Sequence, residues 1–371
     1  MERSAPMKKE PDQNQPNTHP LSKTPAPADL KSMTLGQLRQ FLSAMGEKPY
    51  RAEQIYEWLH VRHITSFEQM TNISKSLRSR LEDSAVLTVL RPLQIHNSRL
   101  DGTKKYLFAL PDGNVIESVR MKYRHGNSVC ISSQVGCRMG CRFCASAIDG
   151  LVRNLHVSEM LEQVYRVGQD IGERISHVVV MGMGEPLDNF ENLLRFLTML
   201  SDDHGIRIGQ RNITVSTCGI IPRIRELADT RLSITLALSL HAASQEARRK
   251  LMPVAEKYPL QAVIEACDDY FAKTGRRITF EYSLIRGIND AKADAERLSR
   301  LLKNKNCHVN LIPVNPVRER PYEQPDREAA LAFQNILEKN KINVTIRREI
   351  GRDINGACGQ LRKSYAAGHE M

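Results

Sequence analysis

Three cysteines fall within eight consecutive positions, close enough for all three to bind one metal centre. The segment GCRMGCRFCAS, residues 136–146, has the spacing C-x3-C-x2-C and contains Cys137, Cys141 and Cys144. Four thiolates complete a structural zinc site or an ordinary iron–sulfur site. Three local thiolates therefore predict a [4Fe-4S] cluster with one iron left open for a small molecule, since soft thiolates suit such clusters.

The residues around these cysteines fit a buried cluster, but two simpler interpretations use the same thiols. Gly136 and Gly140 allow the backbone to approach a bulky group closely, and Phe143 places an aromatic ring directly before Cys144. A zinc ion completed by a distant residue is one alternative, and plain free thiols are the other. This spacing, on a loop that follows an apolar strand, favours the cluster over both.

The charge balance predicts a polyanionic partner, and the cysteines predict a reducing compartment. The 371 residues carry a formal net charge of +11, which suits nucleic acid, although many basic proteins bind none. No apolar run is long enough for a membrane span, and the N-terminus lacks a secretion signal pattern. We therefore expect a cytoplasmic protein whose eight cysteines form no structural disulfides.

The N-terminal third divides into a tail and two small units. Residues 1–30 contain six prolines and are predicted to be a disordered tail. Residues 31–86 are predicted to form a helical RNA-binding accessory domain, which begins with a capping box made by Thr34 and Gln37. Residues 87–127 show alternating apolar positions and turn signals, which predict a strand-rich extension.

One helix of the accessory domain has a basic face. The segment SKSLRSRLED directs its leucines to one side and Lys75, Arg78 and Arg80 to the other. These side chains suit contact with an RNA backbone. From these residues alone, a solvated surface is the simpler interpretation.

Residues 128–350 are predicted to form an α/β core. Six apolar strand candidates alternate with amphipathic helices, which is typical of buried parallel strands. Six such units are fewer than an eight-fold barrel needs, and the segment NVTIRRE near the end adds a further strand candidate. The cysteine loop follows the first strand, at the edge where parallel α/β folds gather their sites. Residues 351–371 are expected to be a C-terminal loop and tail.

The cysteine motif in this position resembles that of the radical S-adenosylmethionine superfamily. A finer resemblance, over about residues 34–360, is to the RlmN family of RNA adenine methyltransferases. The segments that carry it are VIESV, CISSQVGC, MGMGEPL, STCGIIP, SLHA, NLIPVNP and DINGACGQL. Two mild departures are DINGACGQ, where many members have DIDAACGQ, and Cys218, where many have Ser or Ile.

The resemblance implies a fold, two cofactors and a set of cofactor contacts. The fold is a partial (βα)6 radical-SAM barrel with a small N-terminal all-helical accessory domain. The cofactors are a [4Fe-4S] cluster on the three cysteines and S-adenosylmethionine, used twice in each turnover as methyl donor and as radical source. Carried over by motif, the S-adenosylmethionine contacts are Gly184, Glu185, Ser216, Ser239, Leu240, His241 and Asn315.

The resemblance also assigns two thiols and a base outside the cluster. Carbon 2 of adenine is electron-poor and cannot attack a sulfonium methyl, whereas the Cys358 thiol can accept that methyl as S-methylcysteine. After a 5′-deoxyadenosyl radical has removed hydrogen from this methyl, the carbon adds to the ring and links RNA to protein. Cys130 is then the resolving thiol that forms a disulfide with Cys358, and Glu117 matches the family's proton acceptor.

The implied substrates are 23S rRNA at the peptidyl transferase centre and tRNA at the adenosine 3′ to the anticodon. The implied partners also include a low-potential electron donor such as flavodoxin, and we expect a monomer with no membrane contact. One alternative is a Cfr-type resistance enzyme, which methylates carbon 8 and shares these motifs. Another is a non-catalytic RNA-binding protein with a structural metal. No role is assigned to Cys218, Cys267 or Cys307.

Overall fold

The computed structural model describes residues 27–357 and 359–361, and these residues form one large sheet, two small sheets and eleven α-helices. Residues 1–26, Cys358 and residues 362–371 lie outside this part. The first 26 residues of the predicted tail and the predicted methyl-carrying thiol therefore fall outside the described residues. The strands are β1 (Ala28–Asp29), β2 (Ala85–Val86), β3 (Arg91–Asn97), β4 (Lys104–Ala109), β5 (Val115–Tyr123), β6 (Gly126–Ile131), β7 (Gln134–Gly136), β8 (Leu151–Asn154), β9 (Ile175–Val180), β10 (Ile213–Thr217), β11 (Thr235–Ser239), β12 (Ile278–Leu284), β13 (Cys307–Pro313) and β14 (Asn343–Ile346). The helices are α1 (Leu35–Ala44), α2 (Tyr50–His60), α3 (Lys75–Ser84), α4 (Val157–Ile171), α5 (Phe190–Leu200), α6 (Ile221–Asp229), α7 (Gln245–Leu251), α8 (Val254–Lys257), α9 (Leu260–Thr274), α10 (Lys292–Leu301) and α11 (Arg327–Lys339).

The N-terminal unit consists of α1–α3 and the short parallel pair β1–β2. The predicted capping box is confirmed, since the Thr34 side chain accepts from the Gln37 N–H and the Gln37 side chain accepts from the Thr34 N–H. The first element, β1, lies within the last residues of the predicted tail, and the neighbouring Leu30 is fully buried. Chain order therefore begins no later than Ala28.

The large sheet joins an antiparallel extension to a parallel core. Its strand order is β14-β13-β12-β11-β10-β9-β6-β5-β4-β3. Strands β3 to β6 pair antiparallel, and the pairs from β6 to β14 are all parallel. The sheet does not close between β3 and β14 in the described residues, so the predicted partial barrel and its extra strand β14 are confirmed.

Six βα units make up the core. Helices α4, α5 and α6 follow β6, β9 and β10, helices α7–α9 follow β11, and α10 and α11 follow β12 and β13. Every residue of β12 is buried, as expected for a central strand covered on both faces. No helix of the described part combines the length and apolarity needed to cross a membrane.

The helical unit is fixed to the core by buried polar contacts with α4. The Lys31 ammonium donates to the Glu162 carboxylate at 2.6 Å and to the Ile64 carbonyl at 2.9 Å, and both charged side chains are fully buried. The His60 imidazole is 2.8 Å from the Tyr165 hydroxyl. Breaking a buried ion pair leaves an uncompensated charge, so these contacts hold the unit in one orientation on the core.

The ends of β6 and β9 approach each other closely enough that a side chain would not fit between them. The Gly182 N–H donates to the Ile131 carbonyl at 2.9 Å, and the Ser133 N–H donates to the Met183 carbonyl at 2.9 Å. A Cβ atom on Gly182 would lie 2.7 Å from the Ile131 carbonyl carbon and oxygen. Both partners are backbone atoms, so neither can move aside cheaply.

We expect Gly182→Ala to destabilise the protein by about 1–3 kcal/mol, since overpacking against backbone forces the two strand ends apart. Gly209→Ala is the matched control, because Gly209 has an ordinary φ of −59° and room for a methyl group. The nearest atom to the added Cβ would be the Asn212 Nδ2, at 4.0 Å. Urea unfolding of both variants measures the difference. Equal midpoints for the two variants would contradict the close approach.

Candidate active site

The three motif cysteines line one cavity at the carboxyl ends of the parallel strands. Cys137, Cys141 and Cys144 share this space, here called the main cavity, with residues that follow β9, β10 and β11. The Cys137 N–H donates to the Gly150 carbonyl at 3.0 Å. A Cβ atom at Gly136 would lie 1.9 Å from that same oxygen, so only glycine permits this turn of the loop.

Cys137 is buried, Cys141 and Cys144 are partly buried, and all three thiols suit a metal cation. Burial raises the pKa of Cys137 to about 12 and also raises the pKa of Cys141. A buried thiolate needs compensating positive charge, which iron ions supply. No three His, Cys, Asp or Glu side chains of the described residues converge on the position of a single ion. Three thiols around a shared cavity instead fit separate corners of a cluster, in which each sulfur binds a different iron.

The segment after β9 brings a buried carboxylate to the same cavity. Glu185 Oε1 accepts from the Leu187 N–H at 3.1 Å, and Oε2 accepts from the Cys218 N–H at 2.8 Å. Burial raises the pKa of Glu185, while these hydrogen bonds oppose the rise. A carboxylate oxygen can accept more than one hydrogen bond, so these contacts are compatible with an amine as a further donor.

Most of the other cofactor contacts expected from the resemblance line the main cavity. They are Gly184, Ser216, Ser239, His241 and Asn315. Leu240 differs, because its side chain is fully buried in the core and does not line the cavity, whereas its N–H donates to the Glu281 carbonyl at 3.0 Å. A contact from Leu240 would therefore have to come from its backbone.

His241 is held as a neutral imidazole. Its Nδ1 accepts from the Ser283 N–H at 3.0 Å, which places the ring proton on Nε2. Burial lowers the pKa of His241 to about 3. The ring meets Phe143 edge-on, with 4.8 Å between centroids, so the residue before Cys144 packs against a histidine that lines the main cavity.

A second cavity, here called the Cys130 cavity, adjoins the main cavity. Met181, Ile312, Asn315 and Arg347 line both. Cys130 is buried in β6 and lines only the second, opposite its strand partner Val119. A thiol outside the cysteine loop thus lies next to the space that the loop encloses.

Glu117 lies on the same face of β5 as Val119, because side chains alternate along a strand. Its side chain is almost wholly buried and pairs with Lys105 at 3.3 Å. The Glu117 carbonyl accepts from the Ser132 hydroxyl at 2.6 Å, which ties this part of β5 to the end of β6. Glu117 is not among the residues that line the Cys130 cavity itself.

Cys358 is outside the described residues, but its neighbours in the chain are described. Ala357 lines the Cys130 cavity, and Gly359 lines the main cavity. The Gly359 carbonyl accepts from the Ala145 N–H at 2.8 Å, and the Leu361 carbonyl accepts from the Ser146 hydroxyl at 2.6 Å. The C-terminal segment is therefore bonded to the loop that carries the three cysteines.

Two residues of the main cavity were missed by sequence reasoning. Cys218 lines the cavity beside the motif cysteines, and burial raises its pKa. Glu281, in the buried strand β12, also lines it, and burial raises its pKa while the Arg347 guanidinium and the Asn310 amide oppose the rise. An acidic residue inside the otherwise apolar segment ITFEYSL was the available signal for Glu281.

Two family models match this chain. The model of the ribosomal RNA large subunit methyltransferase N-terminal domain matches residues 28–87. The model of the radical SAM superfamily matches residues 131–298, which include the cysteine loop and β7 to β12. The first match covers the helical unit, and the second covers most of the parallel core.

Curated relatives match nearly the whole chain. A probable dual-specificity RNA methyltransferase RlmN from Lachnoclostridium phytofermentans is 60% identical over 337 residues, which are 91% of this chain and 95% of that protein. The protein with the same description from Clostridioides difficile is 51% identical, over 91% of this chain and 98% of its own length. A crystal structure of a radical SAM methyltransferase from Sphaerobacter thermophilus superposes with a TM-score of 0.88 at 43% identity, covering 91% of this chain and all of that one.

Alanine at Cys137, Cys141 or Cys144 should each abolish iron retention after anoxic reconstitution, because one missing thiolate leaves too few ligands for the cluster. Iron retention is measured by iron content and by absorbance near 400 nm, which is roughly the wavelength of thiolate-to-iron charge transfer. Cys218→Ser is the near control, and Cys267→Ala is the distant one, at the opposite end of the sheet beside Cys307.

Both controls should keep their iron. Loss of iron from Cys218→Ser would make Cys218 a fourth ligand and contradict an open iron. A protein that binds zinc in place of iron would contradict the cluster altogether.

Proposed function

Because the chain belongs to the RlmN family of dual-specificity RNA methyltransferases, radical SAM enzymes that use a [4Fe-4S] cluster and S-adenosylmethionine, we propose that it methylates carbon 2 of adenosine in 23S rRNA and in tRNA. The proposed sites are the peptidyl transferase centre and the adenosine 3′ to the anticodon. The observation that carries the proposal is that Cys130 lines a cavity adjoining the cysteine loop, with the chain on either side of Cys358 lining the two spaces.

Residues of the main cavity hold the cofactors in this proposal. Cys137, Cys141 and Cys144 bind the cluster, and Glu185 accepts a hydrogen bond from the methionyl amine. When bound, the cluster and two molecules of S-adenosylmethionine supply a methyl group and a 5′-deoxyadenosyl radical. Gly182 and Gly184 line the main cavity and pack against residues 131–134, the segment that leads into the cysteine loop. This supports the arrangement, because the cavity wall at these two positions is bare backbone.

Two thiols outside the cluster perform the transfer. Cys358 accepts the methyl group as a nucleophile and presents it to the base as S-methylcysteine. After the methyl carbon has lost a hydrogen atom and bonded to carbon 2, RNA and protein are joined through the sulfur of Cys358. Cys130 attacks that sulfur, the carbon–sulfur bond breaks, and the two thiols end as a disulfide. The former methylene carbon takes up a proton and becomes the methyl group, and the radical adduct gives back the one electron that the cluster would have supplied to start the reaction. The hydrogen bonds from Ala145 and Ser146 to the segment around Cys358 support its delivery to this place.

The hydrogen on carbon 2 must leave as a proton, and Glu117 is the proposed acceptor. Its position beside Val119 on the inner face of β5 supports this role, because Val119 lines the Cys130 cavity. Lys105, at 3.3 Å, balances the carboxylate charge in a nearly buried setting. A nearby positive charge favours the charged form of a carboxylate, which is the form that can accept a proton.

RNA recognition is proposed for two basic regions. Arg347 and Arg348 line the Cys130 cavity, where a target base would have to enter unstacked. On α3, Arg80 pairs with Glu47 at 2.9 Å, and Arg78 donates to the Glu68 carbonyl at 2.7 Å. The α3 arginines are therefore partly engaged within the protein, and they would contact phosphate with their remaining donors. A low-potential donor such as flavodoxin, a cytoplasmic location and a monomeric state complete the proposal.

Cys130→Ala purified from cells should carry covalently bound RNA, because without the resolving thiol the bond between Cys358 and the base cannot break. Nuclease digestion followed by peptide mass spectrometry should find adenosine attached to Cys358 through a methylene group. Cys267→Ala is the control and should be free of RNA, since it removes a buried thiol at the far end of the sheet.

Iron-loaded Cys130→Ala that cleaves S-adenosylmethionine yet carries no RNA would refute the two-thiol mechanism and leave the family intact. Attachment at carbon 8 of the ring would instead identify a carbon-8 methyltransferase.

A further inference from the structure

Glu281 lines the main cavity, and one of its two carboxylate oxygens has no hydrogen-bond partner among the described residues. Glu281 and Ser283, two residues apart on β12, both line this cavity. Glu281 is only 4% exposed, and its Oε2 has no hydrogen-bond partner among the described residues. A buried acceptor without a donor costs free energy, so such a group points to a ligand that donates to it.

The other oxygen of Glu281 is held by a row of polar side chains across neighbouring strands. Asn310 is its register partner on β13, and the Asn310 amide donates to Oε1 at 3.0 Å. Thr345 is the next partner, on β14, and its hydroxyl donates to the Asn310 amide oxygen at 2.9 Å. Because Asn310 satisfies Oε1 from the strand side, Oε2 is the oxygen that still lacks a donor among the described residues.

The same row continues with hydroxyl groups on the other side of Glu281. Ser239 on β11 is the register partner of Glu281, and its hydroxyl lies 3.4 Å from that of Ser216 on β10. Three adjacent strands therefore offer a carboxylate and two hydroxyls on one wall of the cavity, with Ser216 offset along β10, where its register partner is Ala237. A carboxylate oxygen accepts O–H groups, and a serine both donates and accepts, so this wall suits a pair of neighbouring hydroxyls.

We propose that Glu281 binds the ribose hydroxyls of S-adenosylmethionine, with Asn310 as the positioning residue that orients its carboxylate. Of the cofactor's groups, the ribose carries two adjacent O–H donors. Its methionyl amine is already matched by Glu185, on the segment after β9.

The cofactor's ribose is favoured over a ribose of the RNA by the location of Glu281. Glu281 lines the main cavity together with the three motif cysteines, and it is not among the residues of the Cys130 cavity. The inference rests on the family's use of S-adenosylmethionine and not on which ring carbon is methylated. If the proposed methylation of carbon 2 were refuted, the inference about Glu281 and the ribose would therefore still hold.

The test is equilibrium binding of S-adenosylmethionine and of its 2′-deoxy and 3′-deoxy counterparts to the cluster-loaded protein. A hydrogen bond to a charged group is worth enough for about a ten- to hundredfold change in affinity. The unmodified protein should lose that factor when the contacted hydroxyl is absent. Glu281→Ala should bind S-adenosylmethionine weaker by the same factor and should no longer distinguish the deoxy counterpart, which closes a thermodynamic cycle.

Glu281→Gln preserves side-chain length and serves where alanine impairs folding, and it should show the same loss of discrimination. Asn310→Leu should lose part of the discrimination, because it frees the carboxylate to rotate. Glu246→Gln on the exposed face of α7 is the control and should bind all three ligands as the unmodified protein does. Iron content and absorbance near 400 nm, the region of thiolate-to-iron charge transfer, establish that each variant is loaded.

Equal affinity of the unmodified protein for all three ligands would overturn the proposal, whatever the variants do. It would also be overturned if Glu281 variants kept the discrimination, or if they bound S-adenosylmethionine normally and lost affinity for RNA alone.

Discussion

The site depends on the close contact between the backbone that follows β6 and the backbone that follows β9. The Gly182 N–H donates to the Ile131 carbonyl, the Ser133 N–H donates to the Met183 carbonyl, and the Glu185 N–H donates to the Gln134 side chain at 2.8 Å. These bonds leave no room for a Cβ on Gly182. They also determine where the chain goes next, so that the cysteine loop after one strand and Glu185 after the other open onto the same cavity.

The cavity that results has a strong excess of groups that favour cationic ligands. Three thiols, Glu185 and Glu281 line it, and burial raises the pKa of both carboxyls because their charged forms lack solvent. The fully buried Arg248 lies behind the wall, where it donates to the Cys218 carbonyl at 2.6 Å. Buried anions need compensating charge. In the proposed arrangement, iron ions, a sulfonium and an ammonium group supply it together with Arg347, which also lines the cavity. This would explain why an acidic pocket occurs in a basic protein.

The sequence predicted the elements of this fold better than the contacts between them. The cysteine loop, α3 and the parallel strands followed from spacing and apolar runs, because those signals are local. Lys31 reads as an ordinary surface lysine, and its burial against Glu162 depends on how two units pack 131 positions apart. Glu281 was hidden in the same way, since its role depends on strand register. Cys218 became a cavity residue only when β10 was placed beside β9.

The measurement that tests the central claim most directly uses S-adenosylmethionine with a fully deuterated methyl group and unmethylated RNA. Transfer through S-methylcysteine removes one of the three methyl deuterons before the carbon joins the ring. The account therefore predicts 2-methyladenosine whose methyl group carries two deuterons, identified by nucleoside chromatography and mass spectrometry. A product that keeps all three deuterons would mean direct transfer, without a hydrogen removed from Cys358, and would contradict the account.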